Sequence, residues 1–363
     1  MNKYLFLYTI TSMLLFTSCS QNLPAEPQVQ KVDNIVFLIG DGMGVAQVYA
    51  AMSSSTEKLN MELSNNTGLS TTFSLTDKIT DSAAAGTALA TGIKTKNGVI
   101  GQDTLGNAFS SILHVAENHG LATGLIASSS ITHATPAAFI AHELKRGDYE
   151  AIAADFLATD IDVFIGGGYD NFALREDGLN YIDSLTANGY DVAKNIEDVE
   201  LSVSDKLAGL LYEFHPPKYS EGRGDMLPKA TKKALDILSK NEKGFFLMIE
   251  GSQIDWAGHD NDTKYNVEET LDFDRTIGVV LDFLKENPNT LVVVTADHET
   301  GGMALTSETG DYMNSDASWG TGGHTSIMVP VFAYGAGADS FTGIMDNTDF
   351  FTKFSKLYGF DSE

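Results

Sequence analysis

Short apolar runs of strand length recur along the chain, and a polar or glycine-rich cluster follows each of them. The runs cover residues 35–39, 121–127, 163–165, 245–249 and 291–294. A continuous apolar run of this length is typical of a strand that is buried on both faces of a sheet. Helical patterns occupy intervening stretches at 108–118, 148–158, 228–238 and 266–285. This alternation predicts an α/β fold with a mainly parallel central sheet and helices on both faces.

The clusters at the ends of the predicted strands carry carboxylates and histidines. Asp41 follows the first run in a glycine-rich turn, Glu250 ends the fourth run, and Asp297 and His298 follow the fifth; His324 lies in another glycine-framed loop. Open α/β sheets bind ligands at the carboxyl ends of their strands, so we expect these side chains to meet at one edge. One such residue alone is more often a turn or capping group, whereas several together indicate a functional site.

Two of these clusters have the spacing of metal ligands. Asp255 and His259 are four residues apart, so on a helical turn they share a face and can hold one cation. Asp297 and His298 are adjacent and would diverge in a regular strand. They can serve one site only if the backbone turns after them, which the glycines at 301–302 permit.

The segment from Thr80 to Gly92 has a polar opening followed by small helix formers. It predicts a buried helix with Ser82 in its first turn, where unpaired N–H groups and the helix dipole stabilise an anion or an alkoxide. Taken alone, the segment would be an ordinary helix start with Asp81 or Ser82 as the N-cap.

The formal net charge of −26 argues against a nucleic-acid partner, because a phosphate-backbone binder needs a basic face. It also repels phosphate substrates, so a phosphate site must be made locally positive by metals, arginine and helix ends. The chain contains four arginines, Arg146, Arg175, Arg223 and Arg275. A bidentate phosphate contact is a task that arginine performs better than lysine. Arg223 is the rival to Arg146 for it, but no predicted strand leads into Arg223.

The amino terminus has the pattern of an export signal over residues 1–18, with Lys3 ahead of an apolar stretch. Residues 16–19 resemble a relaxed bacterial lipobox, which implies that Cys19, the single cysteine, is lipidated and that residues 19–31 form a tether. The alternative is a cleaved signal peptide with an incidental cysteine. We therefore expect an exported, periplasmic or cell-surface lipoprotein anchored to the outer membrane, with its folded domain at 32–363.

The clusters, taken in order, resemble the motifs of bacterial alkaline phosphatases. The matching segments are Gly40-Asp-Gly-Met-Gly44, Thr80-Asp-Ser-Ala83, His133-Ala-Thr-Pro-Ala137, Glu250-Gly-Ser-Gln-Ile-Asp255 with His259, Thr295-Ala-Asp-His298 and Gly322-Gly-His324. The resemblance runs from about residue 34 to about residue 332 and is weaker at 169–240 and 303–320.

The resemblance implies a role for each motif residue. Ser82 is the nucleophile that becomes phosphoserine, and Arg146 binds two phosphate oxygens. One zinc takes Asp41, Asp297 and His298, and the other takes Asp255, His259 and His324. A third site, normally magnesium, uses Thr135, Glu250 and the bridging Asp41. The oxygen-only third set suits magnesium, and the histidine-bearing sets suit zinc.

Three further residues, Asp81, His133 and Trp256, are expected beside these groups. The best-known enteric enzymes carry an aspartate and a lysine where this chain has His133 and Trp256, a pair that resembles another bacterial branch of the family. Two interpretations of His133 stay open: it binds the third metal directly, or it hydrogen-bonds to a ligand of that metal. The identity of the third metal stays open with it.

The resemblance implies hydrolysis of small phosphate monoesters at alkaline pH, with release of an alcohol and inorganic phosphate. The alternatives are a phosphodiesterase or sulfatase of the same superfamily, and a metal-binding lipoprotein without turnover. The resemblance to this family also implies a homodimer. Residues from about 169 to 224 are expected to form a small cap or insertion, and residues 330–359 a last strand and a closing helix.

Overall fold

This computed structural model describes residues 32–360 of the 363-residue chain. The predicted signal peptide, the lipidation site Cys19 and the tether to residue 31 lie outside the described residues. Within the described part, no helix combines the length and the apolar character needed to cross a bilayer.

The described fold begins with strand β1 and ends with helix α12, and most of its longer strands are separated along the chain by helices. The strands are β1 (Asn34–Gly40), β2 (Asn66–Thr71), β3 (Ala122–Ser130), β4 (Val163–Gly167), β5 (Asp191–Ala193), β6 (Leu207–Leu210), β7 (Phe245–Gly251), β8 (Thr290–Thr295), β9 (Glu299–Thr300), β10 (Met303–Ala304), β11 (Ser318–Trp319), β12 (His324–Thr325), β13 (Val329–Gly335) and β14 (Gly343–Asp346). The helices are α1 (Val45–Ser54), α2 (Ser82–Thr91), α3 (Ile112–Asn118), α4 (Ala134–Ala137), α5 (Tyr149–Ala158), α6 (Tyr169–Ala173), α7 (Tyr181–Ala187), α8 (Ile196–Leu201), α9 (Met226–Leu238), α10 (Gln253–His259), α11 (Thr263–Glu286) and α12 (Asp349–Tyr358).

Ten strands form one sheet in the order β14-β2-β13-β8-β1-β7-β3-β4-β6-β5. The strands from β8 to β5 are parallel, and β13 runs antiparallel to both β8 and β2. β1 lies between β7 and β8, with Ile39 beside Glu250 on one side and beside Thr295 on the other. The carboxyl ends of these three strands therefore open at one edge, as the sequence predicts.

The side chains of β1 alternate between two hydrophobic layers. Ile35, Phe37 and Ile39 pack into a core that includes residues of α2, α3, α5 and α12. Val36 and Leu38 pack into a second core that includes residues of α1, α9 and α11. Burial on both faces explains why the central strands are uninterrupted apolar runs. The predicted class, a mainly parallel sheet covered by helices on both faces, is confirmed.

The stretch from 169 to 224, where the sequence predicts a small cap or insertion, contains the strands β5 and β6. Its strands β5 and β6 pair with each other, and β6 pairs with β4, so they extend the main sheet at one edge. Both strands are short, which left them without a strand-length apolar run in the sequence. The loop that follows β6 reaches the region of the site, because the rings of His215 and Trp256 are 4.8 Å apart.

The carboxyl-terminal segment contains one strand more than the sequence predicts. β13 and α12 match the expected strand and closing helix, and β14 adds a parallel edge strand beside β2. Helix α3 starts at Ile112, later than predicted, because the Ser111 side chain caps it by accepting from the backbone N–H of His114.

Candidate active site

The turn after β1 places Asp41 at the centre of the carboxyl edge. Asp41 is fully buried, and its backbone N–H donates to the Gly251 carbonyl at the end of β7. Gly42 follows with φ of +74°, and a Cβ atom there would lie 2.6 Å from Cα of Asp255. The glycine is therefore required twice, for its backbone conformation and for the close approach of the Asp255 backbone.

Ser82 is the first residue of α2, which is buried along its whole length. The Asp81 carboxylate caps this helix by accepting from the Ala84 N–H at 3.0 Å. The Ser82 hydroxyl oxygen lies 3.3 Å from Nε2 of His298. Asp81 is therefore the N-cap of this helix, and Ser82 lies beside a metal-ligand candidate.

Among residues 32–360, three groups of side chains have the geometry to hold a cation, and each offers ligand atoms within 4.8 Å of one another. The first comprises Asp41, Asp297 and His298, all buried. Nε2 of His298 lies 3.5 Å from Oδ1 of Asp41 and 3.3 Å from Oδ2 of Asp297. The other carboxylate oxygen of Asp297 accepts from the backbone N–H groups of Gly42 and His298, which fixes its orientation.

The second group comprises Asp255, His259 and His324 and is more exposed than the first. Nε2 of His324 lies 3.2 Å from Nε2 of His259 and 3.5 Å from Oδ1 of Asp255. The Nδ1 atoms of these histidines each lie 2.8 Å from a carbonyl oxygen, that of Gly322 for His259 and that of Thr80 for His324. A proton on each Nδ1 leaves the Nε2 lone pairs free for a metal.

The third group comprises Asp41, His133 and Glu250, so Asp41 is shared with the first group. Oε2 of Glu250 accepts from the hydroxyls of Ser129 at 3.3 Å and Ser252 at 2.5 Å. Thr135 is buried on α4, directly after His133 and Ala134. The group therefore contains a nitrogen donor as well as the oxygen donors expected from the sequence.

Several buried polar atoms of these groups have no hydrogen-bond partner within residues 32–360. They are both carboxylate oxygens of Asp41, Oδ2 of Asp297, Oε1 of Glu250, Oγ1 of Thr135 and Nδ1 of His133. Buried polar atoms are normally paired, and an unpaired buried carboxylate is costly. All of these atoms belong to the first and third groups and their neighbour Thr135, where a cation would satisfy them, so these two donor sets fit metal ions.

The pKa values of the carboxyl groups indicate the same need for positive charge. Burial raises the pKa of Glu250 to about 7 and that of Asp297 to about 6. Burial, followed by the charges of Asp297, Asp255 and Glu250, raises the pKa of Asp41 well above its usual range. Burial lowers the pKa of His133 to about 3, so its imidazole is neutral and can act as a ligand.

Arg146 reaches the site from the loop before α5. Its Nη1 donates to Oδ2 of Asp81 at 3.1 Å, and its Nη2 lies 3.4 Å from Nε2 of His133. The rival Arg223 is buried elsewhere, where its Nη2 donates to Glu269 and, at 2.9 Å, to Asp272. Of these two arginines, only Arg146 contacts residues beside the candidate nucleophile.

His215 is a neighbour of the site that sequence reasoning missed. Its ring packs edge-on against Trp256 and, at a centroid distance of 5.8 Å, against His133. Its Nδ1 accepts from the Ser130 N–H at 3.0 Å. The loop that carries His215 has no motif, so its place beside the third group follows only from the folding of that loop.

The fold, the three groups of metal-ligand candidates and the serine at the start of α2 together define a metal-dependent hydrolase of the α/β type. The sequence matches the family described as alkaline phosphatase over residues 32–312. It is 31% identical to alkaline phosphatase 3 of Bacillus subtilis, over 96% of this chain and 95% of that protein.

Solved structures agree with the sequence match. Alkaline phosphatase from the Antarctic bacterium TAB5 superposes with a TM-score of 0.86 at 39% identity, over 92% of this chain and all of that one. A variant of the TAB5 enzyme in which aspartate replaces a histidine, described with magnesium bound in its M3 site, matches with the same TM-score, identity and coverage. The chain belongs to the alkaline phosphatase family, and its activity is the hydrolysis of phosphate monoesters.

Proposed function

We propose that Ser82 carries the phosphoryl group during this hydrolysis. Its Oγ attacks phosphorus, the Ser82 oxygen–phosphorus bond forms, and the ester bond breaks to release the alcohol. Water then attacks the phosphoserine, and inorganic phosphate leaves with the Ser82 hydroxyl restored. The observation that carries the proposal is the position of Ser82, at the dipole-positive start of α2 and 3.3 Å from Nε2 of His298.

Arg146 orients the phosphoryl group. Its guanidinium presents five N–H donors in a planar fork, and the contact with Asp81 fixes that plane. The remaining donors match two oxygens of one phosphate. The charge of Arg146 also offsets the acidic surroundings of Asp41 and Asp81, which would otherwise repel the substrate.

The first two groups are proposed to hold zinc and the third magnesium. Bound zinc would lower the pKa values of the serine hydroxyl and of water and would stabilise the leaving oxygen. Asp41, Asp297 and His298 would hold the first ion, Asp255, His259 and His324 the second, and Glu250, Thr135 and Asp41 the third. Because hydroxide is needed in the second half-reaction, activity is expected to rise toward alkaline pH.

His133 bears on the choice of the third ion. Its nitrogen lies within the third group, and nitrogen donors favour zinc-like ions over magnesium. The TAB5 variant described above, in which aspartate replaces a histidine, is described with magnesium bound in its M3 site. By analogy, we propose that His133 contributes to the third site and weakens its preference for magnesium.

The protein is further proposed to be an exported lipoprotein that is attached through Cys19. The proposal is supported by the signal-like sequence of residues 1–18 and by the position of Val32 in the fold. Val32 precedes β1 at the amino edge of the sheet, opposite the edge with Asp41. A tether at that end leaves the catalytic edge free. Cys19→Ala should abolish incorporation of labelled fatty acid and release the enzyme from membranes, whereas unchanged membrane retention would contradict the lipid anchor.

A homodimer is proposed through the apolar surface formed by Val45, Tyr49, Ile327 and Ile344. These four side chains are 53–71% exposed, and Val45 lines a cavity with Ile327 and another with Ile344. Contiguous apolar surface of this kind is typical of subunit contacts. Light scattering should give twice the chain mass, and Tyr49→Asp should reduce it to one chain. A monomeric native protein would contradict the proposal.

Turnover of a matched pair of aryl phosphates tests the function. The metal-loaded protein should hydrolyse the monoester far faster than the diester, and Ser82→Ala and chelation should each abolish turnover. Preference for the diester would favour the phosphodiesterase alternative. Metal binding with no turnover of either ester would favour the non-catalytic alternative, because metal binding alone needs neither Ser82 nor Arg146.

A further inference from the structure

Glu299 directly follows His298 and lies beside the metal-ligand candidates without belonging to any of their groups. Its side chain is buried and accepts four hydrogen bonds. Oε1 accepts from Nε2 of Gln47 at 2.8 Å and from the Met303 N–H at 3.2 Å. Oε2 accepts from the Thr325 hydroxyl and from the Gly302 N–H at 3.3 Å.

The donors come from segments that carry ligand candidates of both proposed zinc sites. Gln47 lies in α1, six residues after Asp41. Thr325 follows His324 and pairs with Glu299 across the two-stranded β9–β12 sheet. Hydrogen bonds to the Glu299 carboxylate thus link the segments that follow Asp41, His298 and His324.

Close packing around Glu299 leaves little freedom for these segments. Gly44, the residue before α1, lies against the Glu299 side chain, and a Cβ atom at Gly44 would overlap with Cγ of Glu299. Gln47 also donates to the Thr300 carbonyl at 2.9 Å. The Thr300 hydroxyl donates to Oδ1 of Asp255 at 2.5 Å. The same network therefore reaches a ligand candidate of the second group.

We propose that Glu299 is a positioning residue that holds His324 and His298 in the geometry needed to bind zinc. It belongs to none of the three groups of ligand candidates and acts through Thr325, Gln47 and its own backbone. This proposal rests on the proposed zinc sites. Residues that support metal ligands typically change metal affinity by about 10-fold to 100-fold when they are removed.

Glu299→Gln tests the proposal with the least change in shape. In the glutamine, an NH₂ donor replaces one of the two acceptor oxygens. Each oxygen of Glu299 accepts from two donors, so the NH₂ group would face two donors in either orientation of the amide. Asp274→Asn is the matched control, because Asp274 is also buried and accepts from the backbone N–H groups of Asn60 and Met61 and from the Asn60 amide. Asp274 lies on α11 and contacts no metal-ligand candidate through these bonds.

The readout is the rate of zinc release from each zinc-loaded protein into a chromophoric chelator, with kcat and KM measured at saturating and at limiting zinc. Glu299→Gln should release zinc about 10-fold to 100-fold faster than the native protein and regain kcat when zinc is in excess. Asp274→Asn should release zinc at the native rate. Thr325→Val, which removes one donor without changing shape, should show a smaller increase, and it provides the test if Glu299→Gln does not fold.

Equal rates of zinc release from Glu299→Gln and Asp274→Asn would overturn the positioning role. If Thr325→Val is the only one of the two site variants that folds, zinc release from it at the native rate would overturn the role as well. Failure of the zinc sites themselves would look different. In that case the native protein would bind no zinc and would keep its activity in chelator.

Discussion

The hydroxyl oxygen of Ser82 lies 3.3 Å from Nε2 of His298, although 216 residues separate them in the chain. Ser82 opens α2, and His298 follows β8 beside the central strand β1. Helix α2 and the turn that follows strand β8 therefore place the serine against a metal-ligand candidate. This relationship is the basis on which we propose Ser82 as the phosphoryl acceptor.

Arg146→Lys should lower kcat/KM for an aryl phosphomonoester by about 10-fold to 100-fold. Lysine keeps the charge but cannot make the paired contact with two phosphate oxygens, and a hydrogen bond to a charged group contributes roughly 1.5–3 kcal/mol. Steady-state kinetics of the metal-loaded enzyme would measure the change. Arg275→Lys is the matched control, because Arg275 pairs with Asp272 at 2.8 Å and packs over the Tyr219 ring instead of facing the site. Equal effects of the two substitutions would contradict the role of Arg146.

His133→Asp should raise the magnesium affinity of the third group and lower its affinity for zinc. The change replaces a neutral nitrogen donor by an oxygen donor with a negative charge, which magnesium prefers. Magnesium titration followed by calorimetry would measure the difference. His119→Asp serves as a control, since the His119 ring stacks on Phe360 away from the site. Unchanged magnesium affinity in His133→Asp would show that His133 does not contribute to the third site.

Glu250→Gln should change the pH dependence of stability in the metal-free protein. Burial raises the pKa of Glu250 to about 7 from a reference value of 4.5, so between these pH values the folded state keeps a proton that the unfolded state has lost. The group therefore lowers the free energy of unfolding as pH rises from 4.5 to 7, by up to about 3 kcal/mol. Glutamine does not titrate, so Glu250→Gln removes this pH-dependent decrease in the free energy of unfolding.

Urea unfolding in chelator at pH 5 and pH 8 tests this expectation. The free energy of unfolding of Glu250→Gln should rise relative to that of the native protein between the two pH values. Saturation with metal should reverse the order at pH 8, because the native carboxylate is then compensated. Parallel pH dependences of the two metal-free proteins would contradict the raised pKa of Glu250.

The sequence identified the parts of the fold that are encoded locally. The strands β1, β7 and β8 are continuous apolar runs because both of their faces are buried, and each ends at a site residue. The edge strands β5 and β14, and β6 next to β5, are short and depend on pairing with strands already present, so they left no comparable signal.

The candidate site was predictable where a motif carries the ligand. Asp255 and His259 share one face of α10, as their spacing predicts. The approach of His324 to this pair depends on the long-range pairing of β12 with β9. Motif resemblance supplied that grouping, since local pattern alone could not. The contacts of His215 and Glu299 likewise arise only when distant segments pack together.

Capture of the phosphorylated enzyme tests the central role of Ser82 most directly. The metal-loaded protein would be mixed with an aryl phosphomonoester and quenched in acid within the first turnovers, and its peptides would be mapped by mass spectrometry. We expect phosphate on the peptide at Ser82, no phosphopeptide in Ser82→Ala, and turnover of that variant reduced on the order of 10³-fold or more. Phosphate on another residue, or native turnover by Ser82→Ala, would contradict the role of Ser82.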